Sequence, residues 1–381
     1  MKYTKKLDDV LNGTPFILDK NFYKGRDIII YGAGRLGKMI ANICNSNNIG
    51  ISFFVDQNSD KLTDLSGYPV LPVSELKNID TKNSVVLISA VKIPYAQIKS
   101  IIESYTSADI HTVYDLMGEV KEAYFTNGWF SGELSEGDRT SIREVYECLA
   151  DEYSKVTYLS YLNWRVRKSE FKDLKLEIID EANKYNNQIT KAVLSHSKTI
   201  VDVGAFDLWF SISSLKSMPL IESVYAFEPD KESFSVCEEV QRDDVSIANK
   251  VQLEPYAISG EKGLLNFISG HGLASRLVHE SGVDMERVPV TTIDEYFKTH
   301  MVKHKIGVIK YHIEGDELSA LRASKTTIEK HRPLLMFNCS HNRDCLWAIQ
   351  KECLALKNYD YYMRSYAYYG EGLTFYAVPR D

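Results

Sequence analysis

Short apolar runs alternate with amphipathic stretches along this chain, and the alternation occurs twice. Between about residues 25 and 117 the runs DIIIYG, ISFFVD, SVVLISA and IHTVYDL stand apart by helix-length segments. Strands alternating with helices predict a parallel α/β sheet. Residues 118–197 carry no strand pattern; SEGDRTSIREVYECLADEYSKVTYLSYLNWRVR reads as helix, with Ile142, Val145, Tyr146, Leu149, Tyr153 and Val156 at helical spacing. Ser135 or Asp138 is placed to cap its start. From residue 198 a second α/β series runs through KTIVDVGAF, SVYAFEPD, KVQLEPYAIS, VIKYHIEG and PLLMFNCS. It closes on YDYYMRSYAYYGEGLTFYAV, two alternating Tyr-rich runs around Gly370-Glu371-Gly372, the pattern of a β-hairpin. The predicted organisation is an N-terminal Rossmann-like domain (1–117), a helical connector (118–197) that includes Trp129, and a second α/β domain (198–381). No repeat of solenoid length and no low-complexity tract interrupts it.

Composition narrows the class. Of 381 residues, 44% are hydrophobic and 25% charged, with a formal net charge of −7, which predicts folded, soluble protein. No basic stripe supports nucleic-acid binding. The opening MKYTKKLDDVLNG lacks the apolar core of a secretory signal, and no apolar run approaches the ~18 residues of a spanning helix. The six cysteines (Cys44, Cys148, Cys237, Cys339, Cys345, Cys353) form no CxxC pair, so buried thiols in a reducing compartment are expected. The expected location is the cytoplasm.

Two strand-to-helix junctions carry candidate chemistry. IIIYGAGRLGKMI sets Gly32, Gly34 and Gly37 between a strand and a helix, the context of the dinucleotide fingerprint. Gly32 permits the tight turn, Gly34 lets a phosphate approach the backbone, and the helix N-terminus favours an anion. Asp56 follows 24 residues after Gly32, where an acidic side chain can bond a ribose hydroxyl. Only about 90 residues carry this unit, so a bound nucleotide or nucleotide-sugar stands against a scaffold or dimerisation role. In the second series, TIVDVGAFDLWFS puts Asp202 and Gly204 at a strand tip, and Glu228 ends the next strand 26 residues after Asp202. An acidic residue there with no glycine-rich phosphate loop points to an adenosine ligand without pyrophosphate, such as S-adenosylmethionine. An Asp-Gly after a strand also serves simple turn chemistry.

VDVGAFD, YAFEPDKESF, VPVTTIDEYF, IKYHIEGDELSALRAS and HRPLLMF, in this order and spacing, resemble the FkbM family of S-adenosylmethionine-dependent methyltransferases over roughly residues 198–380. SGYPVLPVSEL resembles the small Rossmann-like domains that precede sugar-acyltransferase and nucleotide-sugar enzymes. The resemblance implies the seven-strand class I methyltransferase sheet, with the terminal hairpin supplying its antiparallel strand, behind a small Rossmann-like domain and a helical connector. It implies O-methylation of a sugar, glycan precursor or secondary metabolite, with S-adenosylmethionine as cofactor and a small-molecule or glycan acceptor as partner. Homo-oligomerisation stays open. By position it sets Asp202 and Gly204 against the methionine end of the cofactor, Glu228 on the ribose, and Tyr256 and Ala257 near the adenine, with Phe206 also among the cofactor-binding residues. Lys310, Glu314 and Glu317 match the K-x-D-x-E-G-x-E motif, His341 matches a histidine after the next strand, and Arg364 an arginine near the tail.

Two places depart from the family pattern. Leu208-Trp209 stands where Gly-Asp is usual, an apolar pair able to crowd the cofactor cleft. His312 replaces the aspartate of the K-x-D-x-E-G motif. In one reading His312, with Glu314 and His341, is catalytic: an imidazole with a pKa of ~6.5 suits a general base for an acceptor hydroxyl. In the other it marks a decayed site on a fold that binds a nucleotide-sugar or scaffolds. Tyr361, Tyr362, Tyr366, Tyr368 and Tyr369 fit half-buried strands better than a sugar-stacking surface. Cys339 and Cys345 beside His341 lack a matching second cluster, so no metal site is expected.

Overall fold

The computed structural model describes residues 3–117, 130–185, 187–269, 275–278, 285–368 and 372–380. Trp129, Tyr369, Gly370 and Glu371 lie outside the described residues. The backbone forms two compact units, one of residues 1–133, 160–178 and 367–371, the other of residues 134–159, 179–366 and 372–381. The stretch read as a connector is shared out between them, residues 134–159 and 179–197 falling in the second unit and 160–178 in the first.

The first unit holds a six-stranded sheet of β1 (Asp27–Tyr31), β2 (Ile51–Val55), β3 (Asp64–Leu65), β4 (Tyr68–Leu71), β5 (Ser84–Ile88) and β6 (Asp109–Thr112), in the order β3-β4-β2-β1-β5-β6. All neighbours are parallel except β3 and β4. Ile28, Ile30, Phe54, Val85 and Leu87 pack on one face, and Ile29, Tyr31, Val55, Val86 and Ile88 on the other. Burial on both faces is why these strands read as continuous apolar runs. The run IHTVYDL does not continue as strand. Asp115 accepts the Thr112 N–H at 2.6 Å, and the chain turns at once into the helix Val113–Met117.

The second unit is built on a seven-stranded sheet. Its members are β7 (Thr199–Val203), β8 (Ser223–Phe227) and β9 (Val251–Glu254), then, after a side sheet, β14 (Ile306–Tyr311), β15 (Leu334–Asn338), β16 (Tyr359–Ser365) and β17 (Leu373–Pro379). The order is β16-β17-β15-β14-β7-β8-β9, parallel except for β17, which runs antiparallel to both neighbours. This is the expected seven-strand sheet with its antiparallel C-terminal hairpin. Strand order reverses between β7 and β14, the point where such sheets open a crevice at their carboxyl ends.

Two readings need correction. KVQLEPYAIS is not one strand: Pro255, which has no N–H to donate, separates β9 from β10 (Ala257–Ile258), which leaves the main sheet. It joins β11 (Gly263–Ile268), β12 (Arg276–Val278) and β13 (Glu286–Thr291) in a four-stranded sheet ordered β10-β13-β11-β12. Its core, Ala257, Phe267, Val288 and Val290, is too small to impose a pattern on the sequence. The long helix is likewise two, Glu136–Cys148 and Glu152–Arg167. Ser135 and Asp138 form a reciprocal capping box at the first. Between them the Ala150 N–H bonds Tyr361 O at 2.9 Å, and Asp151 accepts the Ser154 N–H at 2.7 Å to restart the helix. The buried face re-registers after the break, so Tyr158 and Leu159 are buried while Tyr153 and Val156 are half-exposed. Asp151 also receives Arg364 Nη2 at 2.6 Å.

All six cysteines are free, and only Cys148 is exposed. Among the described residues no helix is long and apolar enough to cross a membrane. Tyr361 and Tyr366 are buried and Tyr362 and Tyr368 half-buried, as strand tyrosines would be.

Gly204 closes β7 at φ +79°, and a Cβ there would meet His312 O at 2.0 Å. Gly204→Ala should therefore cost at least about 1–3 kcal/mol from the backbone conformation alone, read as a lowered thermal midpoint. Gly263→Ala, where a Cβ meets nothing within 4 Å, should leave the midpoint nearly unchanged.

Candidate active site

The loops after β7, β8 and β14 enclose a cleft of about 580 Å³, open to solvent, lined by Gly204, Phe206, Glu228, Tyr256 and Ala257 with His312, Glu314 and Arg276. Asp202 is near it but does not line it. Its Oδ1 accepts Lys310 Nζ at 2.6 Å and its Oδ2 accepts Ser211 Oγ at 2.6 Å. Lys310, its register partner on β14, donates a second bond to Gly204 O at 2.7 Å. Asp202 thus holds the loop whose backbone forms the cleft wall. Phe206 adopts φ +54°, stabilised because its N–H donates to Glu228 Oε2 at 2.8 Å. Glu228 Oε1 accepts the Asp230 N–H at 2.9 Å, and each oxygen retains a lone pair for a further donor. Burial pushes the Glu228 carboxyl up to about 7.

Leu208-Trp209 does not crowd the cleft. Leu208, at φ +61°, turns into the core with no exposed surface, and Trp209 is 41% exposed beside Tyr185. The left-handed turn at Leu208 directs the pair away from the crevice.

A second group of side chains converges on the same cleft. The His312 N–H extends the strand pairing to Val203 O at 3.0 Å, which fixes its Cα at the tip of β14. Its Nδ1 bonds Tyr185 Oη at 3.2 Å, and its Nε2 bonds Asn338 Nδ2 at 2.8 Å. Asn338 ends β15 and donates equally to His341 Nε2 at 3.0 Å. The two imidazoles lie nearly parallel, 5.6 Å apart and inclined by 9°. Glu314, in a left-handed turn at φ +55°, reaches between them, with Oε1 3.2 Å from His312 Nε2 and Oε2 3.2 Å from His341 Nε2. Glu317 supports the turn from below: Oε1 accepts the Ile313 N–H and Oε2 the Gly315 N–H, both at 3.0 Å. Its Oε1 also faces His341 Nδ1 at 3.1 Å.

Electrostatics couple the group. Burial pushes the Glu314 carboxyl up to about 7; His341 opposes this and Glu317 adds to it. Burial disfavours the charged form of His341, but the Glu314 and Glu317 carboxylates outweigh it and raise its pKa. Cys339 and Cys345 are buried against each other, Cys345 Sγ donating to Cys339 O, and take no part in this cluster.

The sequence profile of the methyltransferase FkbM domain matches residues 202–368, a span that contains every group just described except Tyr185. These residues form a methyltransferase domain of the FkbM type. The profile of the PglD N-terminal domain matches residues 27–92 of the same chain. No curated protein matches the sequence. Among solved structures, the chain is similar to the methyltransferase FkbM from Methylobacillus flagellatus KT, with a TM-score of 0.67 and 16% identity over 99% of this chain and 98% of that one. It is more distantly similar to the O-methyltransferase TomG from Streptomyces achromogenes, solved with S-adenosylmethionine: TM-score 0.35, 9% identity, 65% of this chain and all of that one. The fold is therefore shared along the whole chain with an FkbM protein.

Sequence reasoning brought together His312, Glu314 and His341, and separately Glu228, Tyr256 and Ala257. It missed Asn338, although a polar residue ending an apolar strand just before Cys339-Ser340-His341 was a usable signal. Tyr185, 127 positions from His312, gave no signal. In the first unit, Gly32 sits at φ +109° with Ser89 Oγ where a Cβ would go, and a Cβ at Gly37 would meet Gly32 O at 2.3 Å, whereas Gly34 has open space. Asp56 Oδ2 accepts the Ala33 N–H at 2.8 Å. Two of the three glycines thus have packing reasons, and Asp56 is engaged with the loop itself.

Glu228 gives a pH prediction. Its folded pKa of about 7 lies above the ordinary 4.5, so the folded state holds the proton more tightly and stability falls as pH rises through that window. The thermal midpoint of the protein, taken relative to that of Glu228→Gln at each pH, should fall between about pH 5 and about pH 8. A flat difference would contradict the assignment.

Proposed function

We propose that this enzyme transfers the methyl group of S-adenosylmethionine to a hydroxyl of a sugar, a glycan precursor or a related secondary metabolite. The observation that carries the reading is that one cleft joins two chemistries: Glu228 and the aromatic wall on one side, and the His312–Glu314–His341 group on the other. The lining fits the cofactor. Glu228 keeps lone pairs for ribose hydroxyls, Phe206, Tyr256 and Ala257 offer flat or small surface for an adenine, and Gly204 exposes backbone where a side chain would intrude. S-adenosylmethionine, when bound, supplies an electrophilic methyl group.

This chain's own residues do the rest. The walls align acceptor and donor, the larger share of catalysis in a displacement of this kind. Asn338 donates to His312 Nε2, so the ring proton belongs on Nδ1, facing Tyr185, and Nε2 is the basic atom. With the cofactor bound, His312 would take the acceptor hydroxyl proton as the methyl passes from sulfur to that oxygen, leaving S-adenosylhomocysteine, and Glu314 at 3.2 Å would stabilise the imidazolium. Imidazole in place of the family's aspartate keeps the base strong near neutral pH.

Calorimetry with S-adenosylmethionine and S-adenosylhomocysteine tests the cofactor; no binding of either would overturn the proposal. His312→Ala should lower turnover roughly 10²–10⁴-fold with cofactor affinity nearly unchanged. Glu228→Ala should do the reverse, weakening cofactor binding by about 10–100-fold as hydrogen bonds to a charged group are lost.

A further inference from the structure

We propose that His312, Glu314 and His341 form a binding site for a divalent transition-metal ion. One ligand atom from each lies within 4.8 Å of the other two, and the two Glu314 oxygens each approach a different imidazole Nε2 at 3.2 Å. Both Nε2 atoms already accept from the Asn338 amide, so both present lone pairs. Glu314 thus faces two imidazole nitrogens at equal distance, one from each of its oxygens. A cation within the triangle satisfies all three ligands at once.

The surroundings are those of a ligand set. His341 Nδ1 rests on the Glu317 carboxylate at 3.1 Å, the carboxylate–histidine arrangement that fixes a metal-binding tautomer. Glu317 is itself pinned by the N–H groups of Ile313 and Gly315. His312 Nδ1 is held in the same sense by Tyr185 Oη. Asn338 Nδ2 stands between the two Nε2 atoms, so an entering ion turns that amide and brings Oδ1 in as a fourth donor. In the present orientation Oδ1 accepts from Ser340 Oγ at 3.3 Å. Two imidazoles with a carboxylate and an amide oxygen select Mn²⁺, Co²⁺ or Zn²⁺ over Mg²⁺ or Ca²⁺, which prefer all-oxygen sites.

His312 and Glu314 line the cleft, so an open coordination position faces it, and a hydroxyl bound there would have its pKa lowered. That role rests on the proposed methyl transfer, with activation of the hydroxyl passing from the imidazole to the ion; the binding site does not depend on it.

The test uses the metal-stripped full chain titrated with Co²⁺ in the absence of acceptor, followed by absorption and calorimetry. The expected result is one equivalent bound with ligand-field bands and no thiolate-to-cobalt charge transfer, unchanged in Cys148→Ser. His341→Ala and Glu314→Gln should each weaken binding by at least about tenfold, with circular dichroism confirming that they fold. His312→Asp, which trades a nitrogen for an oxygen donor, should still bind and should shift preference from Co²⁺ toward Mg²⁺. Failure of the parent chain to bind Co²⁺ stoichiometrically, a thiolate band, or undiminished binding by a folded His341→Ala would overturn the proposal. Loss of S-adenosylmethionine binding with Co²⁺ binding intact would instead overturn the proposed function.

Discussion

The ion pair between Lys310 and Asp202 holds the catalytic half of this molecule in register. Both groups are buried, and a buried pair stabilises only where its remaining hydrogen-bonding capacity is met. It is met here: Asp202 takes Lys310 and Ser211 on separate oxygens, and Lys310 spends a second proton on Gly204 O. Lys310 also lies over the rings of Tyr185 and Phe210, at 5.6 and 5.8 Å. The pair sits where strand order reverses, so it joins the two strands whose loops must diverge to open a cleft. Gly204 and His312 are pressed backbone to backbone by it, and the cleft wall and the imidazole are positioned in one step.

Carboxyl groups recur around this centre with different duties set by their surroundings. Asp202 lies in the core beside a cation and acts as a fastener. Glu317 is used by backbone N–H groups and an imidazole, and fixes a turn. Glu228 and Glu314 reach the cleft from buried stems, and burial raises both toward neutrality, where small changes in their partners alter protonation. Groups poised near the working pH in a concave site are the ones expected to take part in binding or proton transfer.

Much of this could be read from the chain. The parallel sheets were legible because strands buried on both faces leave continuous apolar runs, and the terminal hairpin because it alternates. Glu228 and Glu314 stood at strand ends, where topology places ligands. The four-stranded side sheet was not legible, because its strands are short and mostly half-exposed, and their shared core is the small cluster of Ala257, Phe267, Val288 and Val290. The helix break at Leu149–Asp151 was hidden because what stops the helix is a backbone bond to Tyr361, more than 200 positions away.

The sequence by itself determined the two α/β units and the strand tips that carry acidic residues, since these follow from local periodicity and spacing; that His312 stands in place of an aspartate came from the resemblance to the FkbM family. Only the tertiary structure decided that Leu208 turns into the core, that Asp202 faces a lysine and not the cleft, and that Asn338 joins two imidazoles. Each of these depends on the direction of a side chain or the sign of a φ angle, set by partners distant in the chain. A one-dimensional pattern records which residues are buried and how they are spaced, but it does not record which atoms they meet.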